Sequence, residues 1–213
     1  MLPFALLALC TTILTTTAMP LKRTNTITAS SIIALDPKTS SCTNSPIAGQ
    51  CRTATEAAPY IAISFVNFGI TTFGEQAALL ALMLYESGDF KYSTNVYPGV
   101  PGQGTRNMQI PEYNAKYAEY LANVCTNCGI TTAQAQQAEA EGPMAVLHLV
   151  NTDEWSFGSA AWFLITQCDA SIRQGLAAGT QAGWDAYTEQ CLHATITDER
   201  TQLWSAALAF QGW

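Results

Sequence analysis

Positive charge is scarce in this chain. Sixteen Asp and Glu residues face nine Lys and Arg, a formal net charge of −7 over 213 residues. A nucleic-acid backbone needs a basic surface to displace its counterions, so DNA and RNA are not expected partners. Histidine is scarcer still. His148 and His193 stand isolated, too few for a His-based triad or metal site. No GxSxG, HExxH, Walker or EF-hand pattern occurs, and Gly99, Gly102 and Gly104 do not follow a strand as a dinucleotide loop must. No cofactor and no metal are therefore expected. Beyond the first residues no apolar run is long enough to cross a bilayer, so stable membrane insertion is not expected. Strand-like alternation is also rare, which leaves an all-α reading.

What is present begins with a leader. Leu2 to Leu14 is mostly apolar, and Thr16-Thr17-Ala18 offers small residues for cleavage, so residues 1–18 read as a secretory signal. Lys22-Arg23 follows and reads as a dibasic processing site ending a short propeptide, residues 19–23. Residues 24–41, rich in Ser and Thr, read as an extended arm, with the folded domain over 42–213. Six cysteines remain after the leader: Cys42, Cys51, Cys125, Cys128, Cys168 and Cys191. An even count in an exported chain predicts disulfides. Sequential pairing is expected, with Cys125–Cys128 as a structural bridge rather than a redox or zinc half-site. The protein is expected to be secreted and monomeric.

Helical periodicity runs from Thr53 almost to the end. Thr55 to Phe68 is a helix closed by Gly69. Thr72 and Glu75 form a capping box for a central helix whose residues Ala77 to Leu84 leave no polar face. Such a helix belongs in the middle of a domain. Pro111 opens a helix to Val124, Ala133 to Glu141 is another, and Gly142-Pro143 breaks the chain before Met144 to Leu149. Ser156 to Gln167 is apolar and reads as core. Asp169 caps the next helix, Gly179 and Gly183 bracket the start of one carrying Tyr187 and Cys191, and Thr197 to Phe210 closes the chain. The long connection is Phe90 to Asn107, and a loop of that length inside a helical body is more often functional than idle.

The central helix ends on Glu86. A carboxyl at the mouth of an apolar helix is partly desolvated and holds its proton near neutral pH, which is what a general acid needs. Glu86-Ser87-Gly88, Phe90, Gly104 and Met108-Gln109-Ile110 together resemble the signature of the lysozyme-like superfamily, in particular soluble lytic transglycosylases and goose-type lysozymes. The likeness covers roughly residues 55–120. It implies a lysozyme-like, disulfide-stapled helical domain with Glu86 as the catalytic acid and Gln109 supporting the cleft.

Glycoside cleavage also asks for a group on the opposite face of the sugar. Asp89, three residues beyond Glu86, is the leading second carboxylate; Glu112, Asp153 and Glu154 are the others. Ser87 is expected at the cleft floor, Tyr92, Tyr97, Tyr113 and Trp155 as stacking platforms for sugar faces, and Arg106 as a partner for a substrate acid group. The resulting expectation is a secreted glycoside hydrolase cleaving β-1,4 bonds of peptidoglycan. Chitin or chitosan cleavage is the neighbouring alternative, and a non-catalytic glycan-binding effector is the alternative of a different class.

Overall fold

The computed structural model describes residues 27–47, 49–124, 129–210 and 212. The expected leader, propeptide and Cys125–Cys128 bridge lie outside them. The all-α class holds: among the described residues there are ten α-helices and no strand. In chain order these are α1 (Ala29–Leu35), α2 (Ala54–Asn67), α3 (Phe73–Glu86), α4 (Pro111–Asn123), α5 (Thr132–Glu141), α6 (Pro143–Val150), α7 (Asp153–Gln167), α8 (Ala170–Ala177), α9 (Gln181–Ala186) and α10 (Asp198–Ala209).

Helix α3 is the axis of the molecule, since every residue from Gly74 to Leu84 is buried. A helix apolar on all sides has to be surrounded, and here α10, α8 and α7 pack around it. The approach to α8 is so close that a Cβ at Gly74 would run into the carbonyl oxygen of Leu176. Full burial of a Leu or Met side chain contributes about 1.5–3 kcal/mol. The run Leu79, Leu80, Leu82, Met83 and Leu84, each at most 1% exposed, is therefore a major share of the core. Helix α7 joins this core to α2, and Tyr117 of α4 reaches across it, its ring tilted against Trp162 at 4.8 Å and its hydroxyl donating to the Trp155 carbonyl at 3.1 Å. Helices α4, α5 and α6 pack together as one flank.

Two local expectations need correction. The segment before Cys42 is not an extended arm. Thr28 and Ser31 close a reciprocal capping box, α1 follows, and Ile32 is wholly buried while the helix packs on α2. One buried isoleucine and a good cap outweigh the low helix propensity of a Ser- and Thr-rich stretch. At Thr72, the hydroxyl accepts from the Glu75 N–H as expected. The Glu75 carboxylate, however, takes the Thr72 hydroxyl and Arg173 of α8, at 2.8 Å each, instead of turning back to the cap backbone.

Cys42–Cys51 and Cys168–Cys191 are bonded as expected. The second bridge ties the residue after α7 to a π-helical turn, Tyr187–Cys191, that continues α9. π-turns inside helices are frequent at functional sites, and the chain leaving this one runs into the candidate site.

Candidate active site

Glu86 ends α3, and the chain must then reverse sharply. Gly88, Asp89 and Phe90 lie consecutively in the left-handed region, with φ of 57°, 61° and 64°. Only the first is a residue that adopts it freely, so the surroundings have to hold the other two. Ser87 does part of this: its buried hydroxyl donates to the Met83 carbonyl at 2.6 Å and accepts from the Phe90 N–H at 3.0 Å. The Asp89 N–H reaches back to the Leu84 carbonyl at 2.8 Å. Phe90 is fully buried, edge-on to Phe157 of α7. Ser87 therefore fixes the turn beneath the acid and is not a surface of the groove.

Arg106 performs the same service from the loop. Its side chain is buried, its guanidinium lies 4.8 Å from the centre of the Phe157 ring, and it donates to the carbonyls of Phe90, Tyr92 and Gln50 at 2.7–2.9 Å. Burial pulls its pKa down to about 10, which leaves the cation intact at neutral pH. It ties the exit of the turn, at Phe90 and Tyr92, to Gln50 ahead of α2, and lines neither cavity. The remainder of the loop is closed by an amide relay. Asn107 donates to Gln109 at 3.2 Å, Gln109 to Asn114 at 2.7 Å, and Asn114 to the Gly102 carbonyl at 2.8 Å.

This scaffold leaves a groove on either side of Glu86. One cavity, about 380 Å³, is lined by Glu86, Tyr92, Thr94, Asn95, Val96, Tyr97, Gln103 and Met108. The other, about 430 Å³, has apolar walls from Leu82, Ile110, Tyr113, Phe163 and Leu192, and polar ones from Asn107, Gln109, His193 and Arg200. Glu86, Gln103 and Met108 line both, so the carboxyl stands where the two meet. Tyr97, 93% exposed, is a free rim for the first cavity.

The Glu86 side chain is 22% exposed and its Oε1 lies 2.8 Å from Nη2 of Arg200 on α10. Burial raises the Glu86 pKa above its ordinary value, and Arg200 pulls it back only in part. Arg200 also lies over the Tyr85 ring at 4.1 Å. The hydroxyl of Tyr187, from the π-turn, is fully buried, and burial pushes its pKa far up, so it stays a neutral phenol.

Of the residues expected at the site, Glu86, Tyr92, Tyr97, Gln109 and Tyr113 line the groove. Asp89 does not. Against the upward push of burial, a hydrogen bond from Asp36 and the charges of Lys38 and Lys91 hold its carboxyl below the ordinary range. Lys38 stands 3.3 Å and Lys91 3.5 Å away. Its partner Asp36 is raised, by burial first and then by Asp89. Asp153 pairs with Arg52 at 2.7 Å, and Trp155 is buried in α7; neither lines the groove, nor do Glu112 and Glu154. Arg200 and His193 escaped the sequence reading. The signal for Arg200 was its register: it stands three, four and seven residues before Leu203, Trp204 and Ala207, on the apolar stripe of α10. Among the described residues, no group of three or more His, Cys, Asp or Glu side chains is arranged to hold a metal ion.

No protein-family model matches the sequence, and no solved structure matches it. Over 157 residues it is 40% identical to a bifunctional dioxygenase (DOX)-epoxy alcohol synthase (EAS) of Fusarium oxysporum (strain Fo5176). The match covers 73% of this chain and 12% of that protein, so the chain spans a small part of its relative's length. That likeness corrects the expected activity. The relative is an enzyme of oxygen chemistry by its name, so a glycoside hydrolase or transglycosylase acting on peptidoglycan, chitin or chitosan is withdrawn, as is a glycan-binding effector. The physical reason is that a Glu-Ser turn at the end of a buried helix specifies how an acid is held, whereas the lining of the groove specifies what it meets.

Proposed function

We propose that the chain is an acid–base unit of an enzyme. In this reading Glu86 delivers a proton to an oxygen atom of an oxygenated, partly apolar substrate, of the epoxy alcohol class named by the relative. The observation that carries the reading is the position of one carboxyl between two cavities, held toward its protonated form by burial. An epoxide opens when its oxygen takes a proton as a C–O bond breaks, while a neighbouring hydroxyl or a water bonds to the carbon and gives up its own proton to solvent, from which Glu86 is reprotonated. Glu86 supplies the epoxide's proton, and Arg200, 2.8 Å away, steadies the carboxylate left behind. Thr94, Asn95 and Gln103 offer hydroxyl and amide groups to the oxygenated portion, and the Leu82–Phe163 side accepts the aliphatic portion.

The frame is further proposed to be lysozyme-like. Glu86 and the segment Met108-Gln109 line one cavity, which supports that reading of the helices. Export is proposed on the same footing: two disulfides favour an oxidising compartment.

The test is turnover of an aliphatic epoxy alcohol by the purified chain, followed by mass spectrometry for an isomer or a product one water heavier. Replacing Glu86 by Gln keeps the shape and removes the proton, and the rate should fall about a hundredfold or more. An unchanged rate in E86Q, or no turnover by the native chain, would overturn the reading.

A further inference from the structure

The two halves of the groove are chemically unlike, and the half bounded by α10 contains a buried cation with unsatisfied hydrogen-bond donors. Arg200 is nine-tenths buried, with 8% of its side chain exposed. It uses Nη2 on Glu86, while Nε and Nη1 meet no hydrogen-bond acceptor among the described residues. The Tyr187 hydroxyl, beside both charges, is likewise without a partner. A buried guanidinium carries five donors and needs most of them satisfied. This one has a single carboxylate that is itself partly exposed, and the walls beside the pair are apolar at Leu82, Ile110, Phe163 and Leu192 and polar at Asn107, Gln109 and His193.

We infer that this half of the groove binds an amphipathic monoanion, whose carboxylate takes the place of Glu86 on Arg200 while its aliphatic body lies along Leu82, Ile110, Phe163 and Leu192. The inference deepens the reading above and rests on the same groove. Its charge balance is explicit. One cation cannot hold two carboxylates in so enclosed a space, so as the ligand's carboxylate arrives, the Glu86 carboxylate takes one proton from solvent. The groups facing Glu86 are Arg200 from α10, Tyr187 from the π-turn, Tyr85 on its own helix and His193 at the rim of the same cavity. Arg200 is the one among them that compensates a negative charge by contact. Anion binding and proton uptake are therefore linked, and affinity falls as pH rises.

Calorimetric titration of the full chain with decanoate tests this at neutral pH in buffers of different ionisation enthalpy, with decanol as the uncharged control. Decanoate should saturate one site with uptake of close to one proton, and decanol should bind about tenfold more weakly or worse. E86Q should bind decanoate with no proton uptake. R200M, checked for helical content, should lose about tenfold or more in affinity; should it not fold, the E86Q comparison decides. Equal binding of decanol and decanoate, decanoate binding without proton uptake by the native chain, or no binding would overturn the inference. Turnover of an epoxy alcohol without decanoate binding would sink this inference and leave the general-acid reading standing. Binding without turnover would do the reverse.

Discussion

Arg200 reaches Glu86 at 2.8 Å across the seam between α10 and α3 while its guanidinium rests 4.1 Å above the ring of Tyr85, the residue just before the acid. The cation thus grips the end of α3 twice, once by charge and once by an aromatic face. It also opposes burial in setting the proton affinity of Glu86.

Replacing Arg200 by Met removes that opposition and leaves burial alone. The Glu86 pKa then rises further, and activity that needs the protonated acid persists to higher pH than in the native chain. Stability follows the same sign. A carboxyl raised in the folded state contributes fully below its ordinary value of 4.5, and its contribution declines as pH rises through the folded value. In R200M the decline should start at the same ordinary value, extend to higher pH and run deeper. Activity profiles and thermal melts over one pH series check both, and superimposable alkaline limbs would refute the assignment.

Asp36 and Asp89 give a second pH prediction. Asp36 is raised by burial and by its carboxylate neighbour, and one of its oxygens finds no donor among the described residues. Its contribution to stability is therefore whole below its ordinary value of 3.8 and lost as pH rises through the folded value. Asn at this position donates to Asp89 without needing a proton. D36N should melt higher than the native chain near neutral pH and lose that advantage in acid. A constant difference across pH would mean that the two carboxyls do not share a proton.

Arg106 gives a prediction about geometry. Lysine keeps the charge but cannot reach the carbonyls of Phe90, Tyr92 and Gln50 from one planar fork. Arg106→Lys should cost about 3 kcal/mol or more in denaturant unfolding, the scale for breaking a buried charged network. If the variant folds, the proposed turnover should fall as well, although Arg106 lines neither cavity. A loss under 1 kcal/mol, by contrast with about 3 kcal/mol, would place the strength of the turn elsewhere.

The sequence was most legible where one physical term dominated. Helix α3 could be read because Ala77 to Leu84 present no polar face, whereas an even cysteine count announced disulfides without fixing which of fifteen pairings they take. Glu86 was legible because it ends that helix. The neighbours of Glu86 were less so. Ser87, Asp89 and Arg106 are polar residues near an acid, and a string of letters does not say whether such residues turn toward a groove or inward to brace a backbone. Here Ser87 and Arg106 turn inward to hold the backbone around three successive left-handed residues, and Asp89 turns to Lys38 and Lys91. Arg200 was hidden by distance along the chain, since its meaning depends on α10 returning to lie against α3. The substrate was the least legible, because a frame that holds one acid well is compatible with many groove linings, and the lining comes from residues scattered between Leu82 and Arg200.

The bare backbone of Gly74 against Leu176 acts at a distance. It lies at the far end of α3 from the carboxyl, about 18 Å away at 1.5 Å per residue. A rigid piston seated by contact at its base delivers any error there undiminished to its head. An added methyl at the seat would slide or tilt the whole shaft, and the proposed proton donor would miss its mark while every residue around it kept its identity. Drift at that remote spot could silence the chemistry and leave the mouth of the molecule looking untouched.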